Sequence, residues 1–359
     1  AGANVRFRLE PTLNVYEDIQ IHAQIDILDN LVLGSTPDSD LSVLSPLAVL
    51  SQSQVAPTVG QNVLWRDSIR VKRVWAEVMT PLGQLSFGRM PNHVGMGTTA
   101  NDGNGLDQDF GDTVDRIQFA TEIGDFMIAP AFDFTASGAT SANTNLPRGQ
   151  PFDRDEADDV YTYVLTAAKQ DSPEVIARKL ANDDTTLDFG TQLSFRNQNL
   201  DVPFEASGGP EGQATTRQVI KRDAEIGRWI FWAELRWRDL TVSAEYSGLY
   251  GTIGDVSTSA GDDARRLFGS TEPRRVELNQ HGGALRGTYK LLNDALTIEL
   301  LLLGASGDGA PGFGVFPLYE WPEGTGYGPG AWDGTQARNG QITNFRFDLV
   351  WEVVVGYGA

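Results

Sequence analysis

The chain has 359 residues, with 28 Lys and Arg against 48 Asp and Glu, a net charge of −20. That surplus of carboxylates excludes a nucleic-acid partner, because binding phosphate needs clustered cations. The absence of cysteine excludes a disulfide framework and thiolate metal sites, and is compatible with an exported bacterial protein. The longest apolar run, LLLLGA at 300–305, is far shorter than the roughly 18 residues a spanning helix needs. With 39 Gly and 17 Pro the composition suits turns and long loops better than a helix-rich enzyme.

The segment AGANVRF carries no basic and apolar leader, so a secretory signal is expected to have been removed or to lie outside the sequence. Residues 5–15 then alternate, with Val5, Phe7, Leu9, Leu13 and Val15 on one face and Arg6, Arg8, Glu10 and Asn14 on the other. This spacing predicts a strand of about 11 residues. Tyr16-Glu17-Asp18 turns it into a second strand, with Ile19, Ile21, Ala23, Ile25 and Ile27 opposite Gln20, His22, Gln24 and Asp26, a hairpin.

Segment 69–79 sets Val74, Ala76 and Val78 against Arg73, Trp75 and Glu77, and TPLG turns it into QLSFGRM. If that apolar face meets lipid, Arg70 and Lys72 form an outward basic pair near lipid phosphates. A polar loop follows, then strand 113–121, which turns at EIGD into 126–134, where Phe126, Ile128, Phe132 and Phe134 share a face. Between VYTYVLTA and TLDFGTQLSFR, the segment DSPEVIARKLAN predicts one short helix, with serine as N-cap and proline in the first helical position. Leu187, Phe189, Leu193 and Phe195 oppose Asp188, Gln192, Ser194 and Arg196.

RWIFWAELRWR places Trp229, Phe231, Ala233, Leu235 and Trp237 opposite Trp232, Glu234 and Arg236, and turns at Arg238-Asp239 into LTVSAEYSG. HGGALRGTYK, whose facing is ambiguous, pairs with LTIELLLLG through LLND. Residues 342–355 end the series, with Phe345, Phe347, Leu349, Trp351 and Val353 opposite Arg346, Asp348 and Glu352. The pattern amounts to about 13 strands.

The strands run about 9 to 12 residues, longer than the ~5 to 6 usual in soluble sheets and matched to a tilted bilayer crossing. Connections alternate short and long, as when turns lie in the periplasm and loops outside. Tyr16, Trp75, Tyr161, Trp237, Tyr246 and Tyr289, near strand ends, suit interfacial aromatic girdles. Backbone groups in lipid must all be paired, so such a sheet has to close. The expected fold is an all-β transmembrane antiparallel β-barrel in the bacterial outer membrane. A large soluble β-sandwich or lipocalin-like barrel shares the alternation, but its apolar face would need a core for a dozen long strands.

Residues 1–359 read as one barrel domain. The first strand runs from a loop side into a short turn, whereas bacterial barrels normally begin and end in the periplasm with an even strand number. The chain is therefore expected to be a fragment, lacking at least one N-terminal strand and the C-terminal strand or strands of a barrel of about 14–18 strands.

The runs RLEPTLNV, AQIDILDNLVLGSTPD, VKRVWAEVMTPLGQLSFGRMPNH and ANDGNGLDQDFGDTVDRIQF together resemble an uncharacterised family of outer-membrane barrels of myxobacteria and related Deltaproteobacteria. The hairpin VKRVWAEVMTPLGQLSFGRMP is also similar to the porin superfamily, where such a hairpin precedes a loop that folds into the pore. The resemblance implies an outer-membrane address and a porin-like barrel, and no substrate.

In a barrel wide enough to hold water the polar faces line the lumen. The candidates are Arg6, Arg8 and Glu10; His22, Gln24 and Asp26; Arg73 and Glu77; Arg116 and Gln118; Asp188, Gln192 and Arg196; Glu234 and Arg236; Glu245; Glu299; and Arg346 and Asp348. Fixed charge of both signs suits a diffusion pore for small hydrophilic solutes and ions, and the carboxylate surplus predicts mild cation selectivity. The expected surroundings are outer-membrane lipid and lipopolysaccharide, with a homo-oligomer or a partner lipoprotein as further associations.

Two other classes compete. Barrel enzymes use Asp and His pairs at the rim, or Ser, His and Asn on the outer wall. Here His22 faces the lumen, His93 lies in MPNHVGMG and His281 near a strand start; only His93 has acidic neighbours. No Gly-x-Ser-x-Gly or HExxH motif occurs, so no enzyme and no catalytic residue is expected. A structural or binding barrel, a plugged pore, adhesin or scaffold, is the stronger alternative, because loops 35–66 and 305–341 carry aliphatic and aromatic residues that could cap the barrel or meet a partner.

The run NDGNGLDQDFGDTVDR at 101–116 packs five aspartates and three glycines. It is expected to fold inward as a constriction through Asp102, Asn104, Asp107, Asp109 and Asp112, whose carboxylates would meet the wall cations Arg8, Arg73 and Arg116. Calcium bound by the same five residues is a second reading, although Leu106 stands where an EF-hand requires its third ligand. No other cofactor is expected.

Overall fold

The computed structural model describes residues 3–33, 69–104, 111–136, 159–201, 220–254, 276–292, 295–307, 341–343 and 345. Loop 35–66, almost all of 305–341, and residues 346–355 of the last expected strand, Arg346 and Asp348 included, lie outside these residues, and so do the readings placed on them.

The first arm of the sheet is β1 (Asn4–Leu9) and β2 (Thr12–Tyr16), both paired with β3 (Ile19–Val32). The single strand expected over 5–15 is interrupted at Glu10 and Pro11, because proline has no N–H for the ladder. Pro11 still accepts from the Ala23 amide at 3.1 Å, so the arm remains seated.

Antiparallel neighbours then follow in chain order: β4 (Ile69–Thr80), β5 (Gly83–Pro91), β6 (Thr113–Ile123), β7 (Phe126–Ala136) and β8 (Val160–Lys169). After the helix α1 (Pro173–Ala181) come β9 (Thr186–Asp201), β10 (Ile220–Trp237), β11 (Leu240–Ile253), β12 (Val276–Leu291) and β13 (Leu296–Ala305). The sheet has 14 strands, with β1 and β13 at the two ends of the order; among the described residues these ends do not pair. Helix α1 starts where expected, with Ser172 as N-cap and Pro173 in the first turn. The Glu174 carboxyl is held below the usual carboxylate range by its own backbone N–H and the Ser172 hydroxyl.

The strands are longer than expected. β10 has 18 residues and β9 and β12 have 16 each, and the additions lie toward the long connections, where Ile220 pairs with Asp201 and Ile253 with Val276. The last element, β14 (Gln341–Ile342), does not extend the meander. It lies parallel to β12, with Gln341 against Glu277 and Ile342 against Leu278. This stretch of β12 projects beyond β13, whose pairing reaches only Gly282, so β14 fills ladder positions otherwise unpaired on that side.

The polarity of the sheet is inverted relative to a soluble protein. Asp26, Arg73, Arg116, Asp133, Asp188, Gln192 and Glu245 are buried, whereas Phe7, Leu13, Val71, Leu193, Phe231, Ile298 and Leu300 are exposed. Each large apolar side chain left in water forgoes about 1.5–3 kcal/mol, so this surface requires hydrocarbon against it. Strands with an apolar exterior and a polar interior are those of a membrane-spanning sheet. No described helix is long and apolar enough to cross a membrane.

Two facings differ from expectation. Gln24 pairs with Arg73 and Ile25 with Val71, leaving Lys72 as an extra residue in a bulge. The bulge resets the alternation, so Lys72 and Arg70 are not an outward pair: they approach the buried side chains of Asp26 and Asp29, while Ile69, Val71 and Val74 are exposed. Trp75 does not join a girdle either. It lies on the inner face, stacked on His22 at 4.9 Å and donating to Glu77 at 2.9 Å. Tyr16, Trp237, Tyr246 and Tyr289 are exposed, and Tyr161 packs with Phe132 and Phe134. The ambiguous β12 is settled by Leu285 and Tyr289, which are exposed, and Ala284, which is buried.

Candidate functional site

On β1, β3 and β4 the inner charges are neutralised locally. Arg8 grips Asp26 with two prongs at 2.7 and 2.9 Å, and Lys72 stands 3.8 Å from the same carboxylate. Arg6 is half-buried within electrostatic reach of Asp26. The Gln24 amide donates to Glu10 at 2.6 Å and to Asn104 at 2.9 Å, the first tie between wall and loop.

The connection from β5 to β6 folds inward across the sheet. At one end Arg73 donates from Nη2 to the carbonyls of Asp102 and, at 3.4 Å, Asp112, and from Nε to the Thr113 hydroxyl at 3.0 Å. Arg8 adds a bond to the Gly103 carbonyl at 3.3 Å. At the other end the Met96 amide and the Thr98 hydroxyl donate to Glu245 on β11, and Arg228 on β10 donates to the Thr99 carbonyl at 3.4 Å. Val94, Ala100 and Ile230 form a small dry core with Trp232 beneath this lobe. The loop is therefore held by β1, β3 and β4 on one side and by β10 and β11 on the other.

Two glycines permit this path. Gly95 has φ +57°, and a Cβ there would lie 2.7 Å from both Glu245 Oε2 and Trp232 Cβ. A Cβ on Gly111 would lie 1.9 Å from the Asp102 carbonyl oxygen.

Among the described residues, no hydrogen bond joins a loop carboxylate to the wall cations Arg8, Arg73 and Arg116. Arg8 and Arg73 take loop carbonyls, and Arg116 takes Asp133. The Asp102 carboxylate instead accepts from the Asn104 backbone and side chain at 3.2 and 2.8 Å, and Asp112 accepts from the Asn101 amide at 3.3 Å. A main-chain carbonyl on a tightly turned loop reaches the wall sooner than a side chain already closing its own turn. Asp107 and Asp109 lie outside the described residues, and among the described residues no three acidic or histidine side chains come together as a metal cluster.

Beside the loop stem lies a cavity of about 610 Å³, reaching from Lys72 on β4 to Leu249 on β11. Asp133 and Asn92 of its wall both accept from Arg116 behind them, Asp133 in a fork at 2.5 and 3.0 Å and Asn92 at 3.3 Å. Farther round, Arg196 donates to Thr162 at 3.0 Å, with Arg228 on the neighbouring strand.

The remaining candidates gather toward the short turns. Asp188 accepts from Arg236 at 2.6 Å and from the Asp171 amide at 2.8 Å, and Arg236 also pairs with Glu234. Gln192 donates to Thr166 at 3.3 Å, Gln118 is half-buried on β6, and Glu299 lies 3.6 Å from Arg286 on β12. His22 sits 3.6 Å from Glu77 and 3.0 Å from the Thr12 hydroxyl, and His93 lies 3.8 Å from Asp102. His281 bonds Tyr250 at 2.9 Å and Asn279 at 2.7 Å.

Sequence reasoning missed Asp133, Arg228, Asn92, Gly95 and Thr98. Asp133 and Arg228 had a signal: each falls on the polar side of an alternating strand, Arg228 six residues before Glu234 and hidden by Ile230 and Trp232 between them. The other three lie on a loop whose path no periodicity describes.

No protein-family model and no curated protein matches the chain. Among solved structures it is similar to OmpT (in-vitro folded), an outer membrane protein of Vibrio cholerae, at 12% identity over 84% of this chain and 68% of that one, with a TM-score of 0.37. The trimer form of the Vibrio cholerae protein gives 13% identity, 85% and 76% coverage and a TM-score of 0.35. OccAB3 of Acinetobacter baumannii gives 13% identity, 84% and 80% coverage and a TM-score of 0.28. Scores this low carry no argument, and the functional reading rests on the geometry.

Proposed function

We propose that the chain is a porin-like channel of the bacterial outer membrane, for passive diffusion of small hydrophilic solutes. The observation that carries the reading is the loop pinned to both sides of a polar interior while leaving a cavity of about 610 Å³ beside it. Such a loop narrows a water-filled passage without filling it, and the charged lining replaces part of a solute's hydration. The net charge of −20 supports mild cation selectivity for small inorganic ions at the mouth. The sequence carries no Gly-x-Ser-x-Gly or HExxH motif, which favours a channel over an enzyme.

The dry contact of Val94 and Ala100 with Ile230 favours a second reading, a plugged structural or binding barrel, because it occupies part of the interior with apolar packing. Reconstitution of the purified protein in a planar phosphatidylcholine bilayer separates the two. Ohmic unit currents with a reversal potential displaced toward potassium in a KCl gradient are expected of the channel; electrical silence from folded, inserted protein assigns the plugged barrel.

A further inference from the structure

Arg196 and Arg228 line the cavity from adjacent strands. In the β9–β10 register Arg228 faces Ser194 and Arg196 faces Ile226, so the two guanidiniums are diagonal neighbours on one face. The other cations of the lining have acids: Lys72 has Asp26 and Asp29, and Arg89 has Asp115 at 2.7 Å. Arg196 and Arg228 have no carboxylate within 4.0 Å among the described residues. Arg196 uses Nε on the Thr162 hydroxyl, and Arg228 uses one Nη on the Thr99 carbonyl at 3.4 Å.

The acids nearby, Asp133 and Asp112, act on the pair only across distances beyond ion-pair contact. Both oxygens of Asp133 are taken by Arg116, and one oxygen of Asp112 accepts from the Asn101 amide. Two like charges in a recess partly shielded from water repel each other, and the repulsion is relieved by an anion placed between them. Guanidinium groups present paired N–H donors that match the oxygens of a carboxylate or phosphate. The Ser194 hydroxyl, which also lines the cavity, supplies a neutral partner.

We propose that Arg196 and Arg228 form a binding site for a small oxyanion, the carboxylate or phosphate group of a diffusing solute. The proposal rests on the channel reading, which brings solute to the cavity. The acidic surplus of the whole chain and this local cationic site act at different places: the first concentrates small cations near the loops, the second holds an anionic solute in the narrow passage.

The test is calorimetric titration of the detergent-folded full chain with sodium phosphate and, separately, disodium succinate, beside bilayer recordings in the same anions. Binding of one or both is expected; phosphate alone assigns a phosphate-bearing solute, succinate alone a carboxylate-bearing one. Arg196→Gln and Arg228→Gln should each weaken binding at least tenfold, and Arg228→Lys should restore part of it, with circular dichroism confirming the β signal in every variant. In bilayers the bound anion should shorten open-channel current, and the Gln variants should abolish that block. Absence of binding by both anions in the folded wild-type protein, or affinities unchanged in both Gln variants, overturns the site. Ordinary channel currents with no anion binding overturn the site and leave the channel. Silence in the bilayer with anion binding intact supports the site and overturns the channel.

Discussion

Met96 and Glu245 lie 149 residues apart in the chain, yet the Met96 amide donates to the Glu245 carboxylate at 2.6 Å. This bond, with that of Thr98, sets the lobe 92–101 on the inner wall of β10 and β11. Glu245→Ala leaves the buried Thr98 hydroxyl without a partner, at about 1–3 kcal/mol, and frees the half-buried Met96 amide as well. The lobe should detach, giving larger and noisier unit currents than wild type in a planar bilayer. Unchanged currents from the folded variant would show that the lobe does not border the conducting path.

Arg73 is the opposite pin, joining the carbonyls of Asp102 and Asp112. Hydrogen bonds to a charged group are worth about 1.5–3 kcal/mol each, so Arg73→Leu should free the stem of the loop. Limited proteolysis of the folded protein should then cut between 101 and 112 faster than in wild type. Arg73→Lys should rescue little, because a single ammonium lacks the planar fork that reaches several acceptors at once.

Gly95 combines φ +57° with close approach to Glu245 and Trp232. A non-glycine residue held in this region costs about 1–3 kcal/mol, to which displacement of Trp232 is added. Gly95→Ala should lower the urea midpoint followed by tryptophan fluorescence; an unchanged midpoint would mean that the lobe relaxes without cost.

Leu193 is 46% exposed in mid-strand, on the apolar face of β9. Against lipid, Leu193→Arg should cost about 2–4 kcal/mol and lower the fraction folded in phosphatidylcholine vesicles, read by heat-modifiable gel mobility. In a soluble sheet the same change would be neutral, so normal folding of this variant in vesicles would argue against the membrane-facing assignment.

Arg116 and Asp133 form a buried fork at 2.5 and 3.0 Å. Asp133→Asn leaves the guanidinium buried without its counter-charge, a loss of about 3–5 kcal/mol. A fall in denaturant midpoint of that size is expected, and the double variant Asp133→Asn with Arg116→Gln should recover part of it.

The strands themselves were legible because alternation has a period of two and needs no knowledge of distant partners. Leu193 and Phe195 opposite Gln192 and Arg196 declare their faces from the sequence alone, and so does the short helix through Ser172 and Pro173. Alternation failed where one inserted residue changes the facing of everything beyond it. Lys72 in its bulge turned a supposed outward pair into partners of Asp26 and Asp29, and Pro11 divided the first arm.

Composition and periodicity determined the class of the protein: long antiparallel strands, polar on one face and apolar on the other, with short and long connections in turn. Only the tertiary structure decided which face is buried at each charge, that Arg8 and Arg73 take carbonyls of the acidic loop, and that Arg196 and Arg228 meet with no carboxylate within 4.0 Å among the described residues. Pattern along a strand is local, whereas a loop crossing from Arg73 to Glu245, or two arginines on adjacent strands, depends on register and curvature summed over many strands.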